Sequence, residues 1–129
     1  MYELIKLNEY AMTRDVELIN LDTGTTDVCF DDSSMVINDF GFMEIGNEYD
    51  CKILLFGNRV TKLTKDAHIK CKIIKELAVG NRALLEVSVN NDIYYIDDNC
   101  GEEYIFFNVT RKDIIQVGDV VHHNLLRKL

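Results

Sequence analysis

The sequence predicts an all-β chain: a small antiparallel barrel or sandwich, with an added N-terminal hairpin region and at most one or two short helices. Three observations predict it. Apolar and polar residues alternate with a period of two through nearly every segment, most cleanly in His68-Ile69-Lys70-Cys71-Lys72-Ile73. Gly, Asn and Asp turn signals separate these runs, and the chain has no proline to shape the turns instead. No segment keeps a helical apolar period over three turns.

Taken in order, Tyr2 to Tyr10 reads as a first strand and Val16 to Leu21 as a second. Asp22-Thr23-Gly24-Thr25 is a turn signal before Thr26-Asp27-Val28-Cys29-Phe30, which predicts a hairpin. Residues 31–34 are a loop or cap, and Met35-Val36-Ile37 a short strand. The longest strand is expected from Glu48 to Phe56, closing at Gly57-Asn58. In the next run Ile69, Cys71 and Ile73 face one side and His68, Lys70 and Lys72 the other, as in a half-buried strand ending near Leu77. Ala83 to Val89 leads through Asn90-Asn91-Asp92 into Ile93-Tyr94-Tyr95-Ile96, and those turn residues tolerate left-handed backbone, so a tight hairpin is expected.

Asp97 to Glu103 is a polar loop and Tyr104 to Val109 another strand. Thr110 to Ile115 reads as a single helical turn with Thr110 as its N-cap. Gly118-Asp119 turns into Val120-Val121, and residues 121–129 form a strand or a short helix; a strand would place His122 and His123 on opposite faces. One punctuation recurs at Met43–Tyr49, Leu77–Ala83 and Ile115–Val121: apolar-x-apolar-Gly-Asn/Asp-x-apolar. Glycine there supplies positive φ for a two-residue hairpin, so the pattern marks strand junctions, and a fourth Gly-Asn stands at 57–58.

Residues 43–121 resemble an OB-fold barrel. Gly46-Asn47-Glu48-Tyr49-Asp50-Cys51-Lys52-Ile53 looks like the glycine-led start of its long first strand, and Val117-Gly118-Asp119-Val120-Val121 like the junction before a late strand. The chain departs from that family in having no helix between the third and fourth strands and an acidic segment, 1–42, with no counterpart. The resemblance implies ligand binding on a strand face and its neighbouring loops. Residues 1–129 are expected to form one domain, the acidic 1–42 hairpin region packing on a 43–129 barrel core.

Composition bounds the function classes. Of 129 residues 47% are apolar and 28% charged, which suits a globular chain and excludes a disordered one. No signal peptide or membrane-spanning run is visible, so a cytoplasmic address without membrane attachment is expected. Cys29, Cys51, Cys71 and Cys100 form no Cys-x-x-Cys pair; the first three sit in apolar alternations and read as buried free thiols rather than zinc ligands. Net charge is −8 but segregated: twelve acids against Lys6 and Arg14 in residues 1–50, and eight bases against Asp66 and Glu76 in residues 51–82. Either an acidic region covers a basic sheet face, or the basic face is open to an anionic partner.

Searches for catalytic motifs come back empty. There is no Gly-x-Ser-x-Gly elbow, no Gly-Lys-Ser/Thr phosphate loop, and His68, His122 and His123 adjoin no nucleophile motif. Asp97 to Glu103 fails as an EF-hand loop, because the required Gly and Glu positions hold Glu102 and Asn108. No catalytic residue, metal or cofactor is therefore assigned. The reading is a non-enzymatic binding module, docking on a basic protein through residues 1–50. Its rival is a single-stranded nucleic-acid binder using the 51–82 face, with Lys52, Arg59, His68, Lys70 and Lys72 supplying charge. Tyr94, Tyr95, Phe106 and Phe107 would supply stacking surface, one of each doublet facing inward. An enzyme would need a deep pocket bringing a histidine within reach of a carboxylate. Partner identity and oligomeric state are left open.

Overall fold

The computed structural model describes residues 1–33, 37–60, 68–99 and 101–127. Within them lie ten strands: β1 (Tyr2–Glu9), β2 (Arg14–Asn20), β3 (Thr26–Asp31), β4 (Glu48–Tyr49), β5 (Cys51–Val60), β6 (Ile69–Val79), β7 (Arg82–Val89), β8 (Asp92–Ile96), β9 (Tyr104–Val117) and β10 (Val120–Val121). A 3-10 turn at His123–Leu126 follows. The all-β expectation holds. All ten strands join one sheet, and it is mixed rather than purely antiparallel: β3 meets β9 and β5 meets β8 in parallel, at Phe30–Asp113 and Leu54–Tyr95.

Two parts share β9. Strands β6, β7 and β8 form an antiparallel meander, β8 pairs with β5, β5 with β9, and β9 returns to β6, so five strands close a ring. Strands β1, β2 and β3 form a second meander that reaches the ring through β3 and β9. The turns obey the expected chemistry. Asn90 and Asn91 both take positive φ between β7 and β8, while at the β6–β7 and β9–β10 junctions the positive φ falls on Gly80 and Gly118 alone.

Two expectations are corrected. The strand at 51–60 does not close at Gly57-Asn58; it runs on to Val60. The helical turn at 110–115 does not exist, because β9 continues to Val117 along β5. Its pairing skips Thr110 and Ile115, so a bulge sits at each end of the stretch and interrupts the alternation. Of the two alternatives for the C-terminal segment the short helix is the one found: a 3-10 turn starts at His123, and the His122 and His123 rings stack with centroids 4.5 Å apart. Ile37 lies in a turn, and the rest of the Met35–Ile37 strand expectation falls outside the described residues.

Alternation places the core. Leu4, Val16, Leu18, Cys29, Ile53, Leu55, Cys71, Val87, Ile96 and Ile114 fill one buried cluster. The bulge at Ile115 turns that side chain the other way, into a second cluster with Val79, Leu84, Tyr95 and Leu125 of the C-terminal turn. Strands β7 and β8 are thus buried on both faces: Leu85 and Tyr94 in the first cluster, Leu84 and Tyr95 in the second. Cys29, Cys51 and Cys71 are buried free thiols, as their alternation predicted.

Candidate functional site

The outward residues of β6 are Lys70 and Lys72, both exposed, while Cys71 points inward. Register places Phe106 opposite Lys70 and Tyr104 opposite Lys72 on β9. One strand further, Val60 of β5 lies opposite Phe106, and Asn58 opposite Asn108. Cross-strand partners share a face. The outer surface of β5, β9 and β6 therefore carries His68, Lys70, Lys72, Tyr104, Phe106, Asn58 and Asn108 together. The Lys70 ammonium lies 4.1 Å from the Tyr104 ring centre, and the His68 ring meets Phe106 edge-on at 5.7 Å.

Other expected site residues lie elsewhere. Arg59 shares a face with inward-pointing Phe107 and pairs with Asp98 at 3.3 Å. Lys52, at the far end of β5, lies 5.9 Å from the Tyr95 ring centre. Tyr94 and Tyr95 were expected to divide between core and surface, but both are buried, at 4% and 6% exposure. Each hydroxyl is spent on a carboxylate, Tyr94 donating to Asp27 at 2.7 Å and Tyr95 to Glu86 at 3.0 Å. Burial and these carboxylates push both phenols upward in pKa. The exposed aromatic beside the lysines of β6 is Tyr104, which parity along β9 could have identified because Ile105 and Phe107 are the inward pair. Lys62 and Lys65 fall outside the described residues.

The chain matches no protein-family model, no curated protein and no solved structure. Its function is therefore read from its own side chains.

The acidic N-terminal segment does not cover the lysine strip. β3 contacts β9 at Asp113, whereas β6 pairs with β9 at Tyr104–Phe107, about 20 Å along the strand. Several of its acids are spent internally. Asp27 bonds Tyr94 and Lys112, Asp31 bonds Arg14 at 2.8 Å, Asp32 meets His122 at 2.5 Å, and Asp39 meets His123 at 2.8 Å. On the basic side, the β8–β9 loop does the neutralising: Asp97 pairs with Arg82 at 3.0 Å and Asp98 with Arg59.

A cleft of about 580 Å³ opens between the C-terminal turn and the outer side of β5 and β9. Phe56, Arg82, Arg111 and Arg127 line it, with Asp32 and His122 at one side. Arg111 lies between the rings of Phe30 and Phe56, 4.9 and 4.5 Å from their centres, and grips Asp113 with two hydrogen bonds. This is the histidine–carboxylate pocket that an enzyme would need. However, His122 Nδ1 accepts the Asn124 N–H and Nε2 faces Asp32, so both ring nitrogens are engaged. No serine, threonine or cysteine stands among the described residues lining the cleft.

Proposed function

We propose that this protein is a non-enzymatic binding module that takes single-stranded nucleic acid on the outer face of β5, β9 and β6. The observation that carries the reading is the exposed Tyr104 beneath Lys70, with Phe106, Lys72 and His68 on the same face. Single-strand binders combine aromatic platforms with a cationic track, because every base has a π-face and every nucleotide a charge. The run from Tyr104 to Asn108 spans about 13 Å, which suits a footprint of a few nucleotides. The five-strand ring within residues 43–121 is compatible with an OB-like reading, with β5 pairing in parallel with the last strand of the β6–β8 meander and closing the ring instead of opening it as the Gly46–Ile53 resemblance implied. The test is fluorescence anisotropy with a labelled oligothymidylate across salt. Binding that weakens steeply with salt and is abolished by Lys70→Glu/Lys72→Glu supports the reading; a flat titration of the native chain ends it.

A second reading keeps the acidic segment as a dock for a basic protein. It is favoured by the outer face of the N-terminal meander, where Glu17 stands opposite Val28, itself 55% exposed, and Glu3 opposite Ile19. Capture of a partner that is lost at high salt and on Glu3→Lys/Glu17→Lys supports it. Capture indifferent to both changes counts against it.

A further inference from the structure

We infer that His122, His123 and Asp39 form a binding site for a first-row divalent transition metal, of which zinc is the best fit. One oxygen of Asp39 and one ring nitrogen from each histidine lie within 4.8 Å of one another. Asp32 Oδ1 is 2.5 Å from His122 Nε2 and meets that ring alone. Two imidazoles and one carboxylate are a nitrogen–oxygen donor set of zinc and its neighbours, whereas magnesium and calcium sites are built from oxygen alone.

Charge supports the assignment. The Asp39 carboxylate is 10% exposed and hydrogen-bonds His123 at both the backbone N–H and Nδ1, each at 2.8 Å. Asp32 likewise faces His122, a residue 5% exposed. With neutral imidazoles, the Asp39 carboxylate is the charge held in this partly dehydrated corner, the exposed Asp32 lying at its edge, and a divalent cation balances it. The hydrogen bonds also set the chemistry. His122 Nδ1 accepts the Asn124 N–H, so Nε2 carries the ring proton and faces Asp32. A metal takes a ring nitrogen's lone pair, so the ion either displaces the Asn124 N–H from Nδ1 or binds Nε2 once the ring proton has moved to Nδ1, and the imidazole stays neutral throughout. Zinc holds its donors at about 2.1 Å and therefore about 3.3 Å from each other, so the imidazoles must leave their 4.5 Å stack to close on the ion. The donors come from the chain after β3 and from the C-terminal turn, so the metal ties the last segment to the first meander.

The experiment is isothermal titration of chelator-stripped full-length protein with zinc chloride in two buffers of different ionisation enthalpy. One equivalent bound with little net proton release, and a rise in Tm at saturation, are expected. His123→Gln and Asp39→Asn, each first verified as folded by circular dichroism, should weaken binding at least tenfold, while His68→Gln should not. No zinc binding at micromolar to submillimolar concentration overturns the site. So does undiminished binding in both variants, or a thiolate charge-transfer band on cobalt substitution, since either would place the ion elsewhere.

Discussion

The ammonium of Lys70 lies 4.1 Å from the centre of the Tyr104 ring, on a sheet face open to solvent. That pairing costs little to break at an exposed site, so an incoming base can take the ring while the lysine moves to the adjacent phosphate. Tyr104→Ala should weaken oligonucleotide binding roughly 10–100-fold, corresponding to about 1–3 kcal/mol for one stacked base. Tyr104→Phe should bind nearly as well as the native chain. With about three phosphate contacts, the slope of log affinity against log salt should be about −2. Equal loss in both Tyr104 variants would show that the hydroxyl, and not stacking, is used.

Arg14 and Asp31 form a buried pair, 5% and 0% exposed. Arg14 Nε donates to Asp31 at 2.8 Å and Nη2 to the Phe40 carbonyl at 2.5 Å, while Asp31 Oδ1 accepts both the N–H and the hydroxyl of Ser33. Removing one partner leaves an uncompensated charge in the core. Arg14→Ala should destabilise the fold by about 3–5 kcal/mol in urea unfolding, and Arg14→Met/Asp31→Leu by much less. A double variant as unstable as the single one would refute the pair's role.

Gly80 takes φ +59, and a Cβ built there would lie 2.6 Å from the Leu125 carbonyl oxygen. That same oxygen accepts the Asn81 N–H at 2.6 Å, and Asn81 Nδ2 reaches the Leu126 carbonyl. Gly80→Ala therefore strains the turn by about 1–2 kcal/mol and pushes the C-terminal turn off the second cluster. Limited proteolysis should cut the variant near residues 122–127 well before the native chain.

Burial holds the Cys51 thiol up to about 12 and the Cys71 thiol up to about 11, from an ordinary 9.0. The folded state thus favours the protonated thiol more than the unfolded chain does. The sign follows: this contribution is whole below pH 9.0 and is lost as pH climbs towards 11 and 12. Denaturation midpoints should fall over that window, and Cys71→Ala should flatten part of the decline. Thiol-modifying reagents should react slowly until unfolding.

Much of this was legible in the residues. The alternation at 68–73 gave the inward Cys71 and the outward lysines, and Asn90-Asn91 gave the tight hairpin. What hid was set by partners distant in sequence. Thr110 and Ile115 are each skipped by β5, so the two-residue period breaks twice within one strand and imitates a helical turn. Tyr94 and Tyr95 alternate faithfully, but the C-terminal turn covers the outer side of β8, so both faces are interior. The His122–Asp32 and His123–Asp39 contacts join positions 90 and 84 residues apart, and no local pattern announces them.

Strand β9 pairs with β3, β5, β6 and β10. During synthesis this has a plain consequence. Until residues 104–117 leave the ribosome, β5 lacks a long neighbour, β6 lacks one side, and the first meander has only the two-residue β4 to pair with. Until β9 is made the nascent chain therefore carries raw hydrogen-bonding edges, which leaves it more open to edge-to-edge association than a chain whose contacts are local.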